Sequence, residues 1–130
     1  MNLSDIINVE YVKMTPTEGI TRTKVCDVML QPNGILHGGI SAWLAENCAN
    51  KAAITGFDPQ VAWPLGLNLE CSHLLGVQEG DTIETHATLV HGGGRTQVWH
   101  IDQRRLSDGE LFNVSTLTVY IKYLRKPVGR

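Results

Sequence analysis

From Gly39 to Thr55 the chain runs GISAWLAENCANKAAIT. The stretch is rich in alanine and poor in β-branched residues, which favours a helix. Its apolar positions do not form one stripe. Ile40, Trp43, Leu44 and Cys48 fall on one flank, and Ala42, Ala45, Ala49, Ala52 and Ala53 fall on others. A helix that is apolar around most of its circumference must be buried on several sides. Turn chemistry precedes it in QPNG, Gln31–Gly34. Gly56 ends it at the C′ position, with Pro59 close behind.

The flanking segments supply what surrounds the helix. Gly19–Leu30 alternates Ile20, Arg22, Lys24 and Cys26 against Thr21, Thr23 and Val25, and reads as a strand. Beyond the helix the period is two throughout. PLGLNLECSHLL places Leu65, Leu67 and Leu69 on one face, then Cys71 and His73. DTIETHATLV sets Ile83, Thr85, Ala87 and Leu89 against Thr82, Glu84, His86 and Thr88; RTQVWHIDQ sets Trp99 and Ile101 against Val98, His100 and Asp102. LFNVSTLTVYIKYL sets Leu117, Val119 and Ile121 against Phe112, Val114, Thr116, Thr118 and Tyr120. The breaks are GVQEGD, HGGG and LSDGE, and strands joined by short Gly turns are expected to be antiparallel neighbours. The expected fold is therefore α+β: a curved antiparallel sheet of five or so strands wrapped around one long central helix, the hotdog arrangement.

At 130 residues the chain is expected to form one domain, 1–130. An apolar content of 42 %, a charged content of 18 % and a net charge of −2 point to no nucleic-acid partner and no anionic membrane. The basic run Lys122–Arg130 reads as a solvated end. Cys26, Cys48 and Cys71 are odd in number and unpaired in spacing, which implies free thiols in a reducing compartment. The first residues have neither a basic n-region nor an apolar h-region, and no apolar run reaches a membrane-spanning length. The expected location is cytoplasmic.

One residue is out of place in this scheme. Glu46 is a full negative charge in the middle of an apolar helix, and His37-Gly38-Gly39 stands just ahead of that helix. Taken singly, each has an ordinary reading: a solvent-facing Glu, a turn, a loop histidine. Together with Gln31 upstream they form a constellation. GILHGGISAWLAE, followed by LGLNLECSHL, GGRTQVWHI and STLTVY, resembles the hotdog-fold acyl-CoA thioesterases. The branch it resembles uses a helical glutamate and includes the 4-hydroxybenzoyl-CoA and 1,4-dihydroxy-2-naphthoyl-CoA thioesterases. The likeness runs from about Gly19 to Tyr120.

The resemblance implies a role for each matching position. The Gly38 N–H would polarise the thioester carbonyl, and Glu46 would be the catalytic carboxylate. Gln31 would hold the thioester or the attacking water, and His37 would lie beside the acyl group. Asn50, one helical turn after Glu46, stands where a relative has threonine. His73 matches a histidine of a His-x-Arg pair whose arginine is Leu75 here. Some CoA contact is implied near HGGGRT, through Gly94, Arg95 and Thr96; the plain reading of that stretch is a hairpin turn. Trp43 and Gly39 are expected at the substrate, Trp43 as core or pocket wall suited to an aromatic acyl group.

Elementary physics points the same way. The first N–H groups of a helix lack intrahelical partners and sit at the positive end of the macrodipole, which suits an oxygen gaining negative charge. Gly38 and Gly39 admit a ligand close to the backbone. A carboxylate among apolar neighbours is poorly solvated and hence a better base or nucleophile. Gly38 and Glu46 are eight residues apart, about 12 Å along a helix axis, too far for one glutamate to reach a carbonyl held at its own helix start. A dimer with facing antiparallel helices brings each Gly38 to the partner's glutamate, and relatives pair again into tetramers. The five histidines show no HxH or HExxH spacing, and no metal or cofactor is implied beyond the CoA of the substrate. Two rivals remain at this stage: a hotdog dehydratase or hydratase, and a non-catalytic acyl-CoA binding module.

Overall fold

The computed structural model describes residues 1–125. The elements in chain order are α1 (Leu3–Ile6), β1 (Glu10–Met14), β2 (Glu18–Lys24), a 3₁₀ turn at Asp27–Met29, α2 (Gly38–Ile54), β3 (Ala62–His73), β4 (Thr82–Gly92), β5 (Thr96–Arg105) and β6 (Leu111–Tyr123). The strands form one antiparallel sheet in the order β1-β2-β4-β5-β6-β3. Helix α2 packs on β2, β3, β4, β5 and β6 through one face. Its buried residues are Ser41, Leu44, Ala45, Cys48, Ala49, Ala52 and Ala53. The expected burial on several sides is not met within one chain: Ala42, Trp43, Glu46, Asn47 and Asn50 are only half-buried and Lys51 is exposed.

Small side chains set how close helix and sheet come. Ala45, Ala49, Ala52 and Ala53 meet Trp99, Ile101, Leu117, Val119 and Ile121 in one core cluster. Gly19 of β2 is needed here. A β-carbon on it would stand 3.0 Å from both the Ala52 Cβ and the Cys48 carbonyl oxygen. The Cys48 thiol is enclosed at the same contact, and burial pushes its pKa up to about 12, so it stays protonated. A second cluster, with Met29, Leu44, Val77, Ile83 and Phe112, fills the end of the barrel near the start of α2.

Several sequence expectations need correction. The sheet has six strands, because the N-terminal segment adds β1 at the edge beside β2. The strand expected over Gly19–Leu30 ends at Lys24: Val25 bonds to Asp81 and Gly80, and the chain then turns so that Met29 is buried. GVQEGD is not a hairpin. Val77 is buried, its carbonyl accepts from Leu36 N–H at 2.8 Å, and Gln78 bridges to Ile35. That anchored segment carries the chain across, so β3 pairs with β6 and β4 with β2. Leu65, Leu67 and Leu69 do not share a face, because a bulge between Gly66 and Asn68 shifts the register of β3. Leu65 and Leu67 are 44 % and 65 % exposed, whereas Leu69 packs on the core. Gly56 does occupy C′, but without a left-handed backbone; Thr55 and Gly56 close the helix through N–H bonds to Ala52 and Ala53.

Of the basic C-terminal run, Lys122 and Tyr123 belong to β6, and residues 126–130 lie outside the described residues. No helix among the described residues is long and apolar enough to cross a membrane.

The Gly19 contact is testable. Gly→Ala in a strand gains about 0.4–1 kcal/mol from the unfolded chain, but overpacking costs about 1–3 kcal/mol. Because backbone and a helix β-carbon bound the space, overpacking wins. Gly19→Ala should lower the denaturant midpoint at unchanged m value; a midpoint equal to or above wild type would show that helix and sheet can separate freely.

Candidate active site

The segment before α2 is held as a tight loop. Gly34, at φ +87°, closes the QPNG turn with its N–H on the Gln31 carbonyl, and the Gln31 N–H bonds to Ile35. The His37 N–H reaches back to the Met29 carbonyl at 2.8 Å. His37 is the N-cap of α2, and its Nδ1 accepts from the Gly39 N–H at 3.0 Å. The His37 carbonyl takes the N–H groups of Ile40 and Ser41. Of the first helical N–H groups, Gly38 alone has no acceptor among the described residues. The positive end of α2 thus presents one unspent donor, at the position the sequence assigned to the carbonyl oxygen.

That donor borders a pocket of about 400 Å³ lined by Gln31, Gly38, Ser41 and His73 together with Leu36, Leu74, Leu75, Val77 and Phe112 among others. Gly38 faces the His73 ring: a β-carbon there would lie 3.4 Å from His73 Cε1 and Nε2. Three expected site residues, Gln31, Gly38 and His73, therefore meet at one pocket although they come from a loop, a helix end and β3. His37 is exposed and acts locally as the cap. Its ring occupies the space over Gly39, where a β-carbon would stand 3.2 Å from His37 Nδ1.

Glu46 is elsewhere on the same helix. It is half-buried and lies against Gly66 of β3, where a β-carbon would collide with a carboxylate oxygen and stand 3.0 Å from Glu46 Cδ. Among the described residues Glu46 makes no ion pair. Asn50 lies one turn further along, and its buried Oδ1 has no hydrogen-bond partner among the described residues. The neighbouring Asn47 is spoken for: its Nδ2 donates to the Tyr11 hydroxyl at 2.9 Å, which ties β1 onto the helix. Glu46 and Asn50 thus form a second, separate group with unspent acceptors. Neither lines the pocket at Gly38.

The remaining expectations scatter. Trp43 packs with Ile40 on the second core cluster and does not line the pocket. Gly94 and Arg95 lie in the β4–β5 turn and Thr96 opens β5; the turn is fastened to the far end of β6 by Tyr123 Oη on the Gly94 carbonyl at 2.6 Å and Ile121 N–H on the Arg95 carbonyl at 2.7 Å. Thr96 pairs with Tyr120 and His73 with Asn113, so the two ends are separated by seven residues of β6, about 23 Å. Within one chain the turn and the pocket do not meet. Gly66 was missed from sequence. A glycine inside a strand pattern, in PLGLNLE, is the signal for a bulge or a close approach, and here it marks both.

Residues 33–112 match the family described as "Thioesterase superfamily". The 1,4-dihydroxy-2-naphthoyl-CoA hydrolase of Listeria monocytogenes is 33 % identical over 97 % of this chain and 100 % of its own length. Among solved structures, a glutamate-to-alanine variant of a hypothetical protein from Staphylococcus aureus superposes with a TM-score of 0.89 at 28 % identity, covering 95 % of this chain and 100 % of that one. A glutamine-to-alanine variant of a thioesterase from Pseudomonas aeruginosa gives 0.88 at 25 % identity, over 95 % of this chain and 87 % of that one. The family match, the identity to a thioester hydrolase over the whole chain and the superposition with these structures agree with the observed sheet and helix: this protein belongs to the thioesterase superfamily and is a thioester hydrolase of the hotdog fold.

Proposed function

We propose that the protein hydrolyses an aromatic or similarly bulky acyl-CoA to the carboxylic acid and free CoA, at sites built between two chains. The observation that carries this reading is the division of labour along α2: an unspent N–H at Gly38 and an unpaired carboxylate at Glu46, about 12 Å apart on one rigid helix. The thioester carbonyl accepts from Gly38 N–H, which stabilises the oxyanion that develops there. Gln31 holds the thioester or the water. Glu46 of the partner subunit either attacks the carbonyl carbon or takes a proton from the attacking water, and Asn50 steadies that water with its free Oδ1. The pocket walls, Leu36, Leu74, Leu75, Val77 and Phe112, suit an apolar acyl group, and the Listeria relative is named for an aromatic one.

Strand β3 supports the two-chain site. It is an edge strand of twelve residues, bonded among the described residues to β6 alone, with Trp63, Leu65 and Leu67 exposed along it. Long apolar edges invite another strand. Pairing β3 with its symmetry mate lays the two copies of α2 side by side and antiparallel, each Gly38 opposite a Glu46.

Release of free thiol from benzoyl-type, fatty acyl- and acetyl-CoA is the direct test. The aryl thioester should have the highest kcat/KM, and Glu46→Gln should lower kcat by about 10²–10⁴ with substrate still bound. Equal rates on all three would remove the aromatic assignment; near-normal kcat in the variant would make Glu46 structural.

Gly66→Ala probes the same carboxylate without touching its charge. The added methyl group occupies the place of the Glu46 oxygen, so the carboxylate must move. A displacement of about 1 Å at a reacting group costs on the order of 10²-fold in rate. A soluble, folded variant with full activity would show that Glu46 does not work from this position.

Subunit mixing separates one chain from two. Gln31→Ala and Glu46→Ala should each be nearly inactive alone. Unfolded and refolded together, about half the dimers are mixed and each has one intact site, so about a quarter of wild-type activity should return. Mixing proved by mass spectrometry with no recovery would place both residues in one chain's site.

A further inference from the structure

One row of the sheet, running from β2 to the β3 residue beside the start of α2, is polar throughout. Thr21, Thr85, Gln103, Asn113 and His73 stand in register on β2, β4, β5, β6 and β3. The next row, Gly19, Ala87, Ile101, Ser115 and Cys71, is largely small or apolar. Gln103 and Asn113 are both 0 % exposed. Two buried amides in an apolar interior are costly unless their hydrogen bonds have fixed partners; of their atoms Gln103 Oε1 has none among the described residues. Gln103 Nε2 donates at 3.1 Å to the Ser41 carbonyl and at 3.1 Å to Thr85 Oγ1, which fastens the helix start to the sheet. Asn113 Nδ2 lies 3.3 Å from His73 Nδ1. Its Oδ1 is 3.4 Å from Ser115 Oγ, which also lies 3.2 Å from Cys71 Sγ.

We propose that Asn113 is a positioning residue that fixes the tautomer of His73. With its oxygen turned to the Ser115 hydroxyl, its amide N–H donates to His73 Nδ1. The neutral ring must then carry its proton on Nε2, which with Cε1 forms the ring edge nearest Gly38. The pocket thereby presents two N–H donors side by side, one from the helix start and one from β3. Both can bond to a thioester oxygen as it gains charge, so the inference deepens the hydrolytic reading and rests on it for its catalytic meaning. Among the described residues, no other ionisable side chain lines that pocket. From β6 the ring meets Asn113, from α2 it meets Gly38, and the nearest titratable group on its own strand is Cys71. The rival geometry is the reversed amide, in which Asn113 Oδ1 would accept from a proton on Nδ1 and leave Nε2 bare toward Gly38.

Imidazole ¹⁵N spectra of histidine-labelled protein distinguish these states, with the His73 signals assigned by H73Q. In the wild type at alkaline pH, His73 should have Nε2 protonated and Nδ1 free. In Asn113→Asp the carboxylate accepts only, so the proton should move to Nδ1. That variant should lose about 10²-fold in kcat/KM where its ring is neutral, as for removal of one oxyanion donor. Its deficit should shrink as pH falls and the ring takes a second proton, because Nε2–H is then restored. A purely structural role would give a deficit that does not change with pH. Nδ1 protonated in the wild type overturns the proposal without any variant. So does an Asn113→Asp protein whose tautomer is unchanged or whose deficit is flat. The expected tautomers in a protein that hydrolyses no thioester would uphold the positioning role and refute the hydrolytic reading.

Discussion

The close approach of α2 to the sheet is the contact on which the rest depends. A helix touched by five strands spends one whole face on them, so the positions along that face, Ser41, Leu44, Ala45, Cys48, Ala49, Ala52 and Ala53, must be small, apolar or individually accommodated. Alanine fills that role at four buried positions, and Gly19 clears the space from the other side. The same tightness gives the polar exceptions their meaning. Ser41 is reached by Gln103, Asn47 by Tyr11, and the Cys48 thiol is simply kept protonated. Among the described residues Glu46 makes no ion pair, and the buried Asn50 Oδ1 has no hydrogen-bond partner. Burial without partners destabilises a fold; Asn50 Oδ1 shares that condition with Thr21 Oγ1 and Gln103 Oε1, whereas Glu46 is only half-buried.

The helix start follows the same accounting. His37 could have left three N–H groups free; its side chain and carbonyl together take those of Gly39, Ile40 and Ser41. What stays unspent is one donor, at Gly38, aimed at a pocket. A single oriented N–H in a partly enclosed site discriminates better between a carbonyl and an oxyanion than a fan of exposed donors, because it need not reorganise as charge develops.

Much of this was legible in the chain itself. The helix could be read because its alanines are spread around the circumference, and the later strands because Ile83 to Leu89, Trp99 to Ile101 and Leu117 to Ile121 alternate cleanly. Gln31, Gly38 and Glu46 could be picked out because a charge and a glycine pair interrupt otherwise consistent patterns. Three things were hidden, each for a physical reason. β1 is nearly all exposed, EYVKM, and has no core face to betray it. The crossing after β3 looks like a turn because GVQEGD has turn composition; the burial of Val77 against the second cluster and its bonds to the Ile35–Leu36 segment anchor it. The bulge in β3 was masked by Leu65, Leu67 and Leu69, a spacing that imitates one apolar face while two of the three point away from the core.

That bulge connects the edge to the chemistry. A regular strand with Leu69 toward the helix would turn Leu65 and Leu67 the same way and point residue 66 away from Glu46. The extra residue at Leu67 instead lets β3 bury Ala62 and Pro64 before it, and turn Leu69, Cys71 and His73 toward the helix side after it. Gly66 sits at the changeover with no side chain, and the carboxylate of Glu46 fills the space. One irregularity thus leaves Trp63 and Leu65 on an open edge, places His73 beside Gly38, and lets a charged residue approach the strand. In the proposed dimer that edge is where the second chain joins, so the strand that recruits the partner also cradles the carboxylate offered to it. Assembly and catalysis then share one structural cause, and a change that regularised β3 would weaken both together.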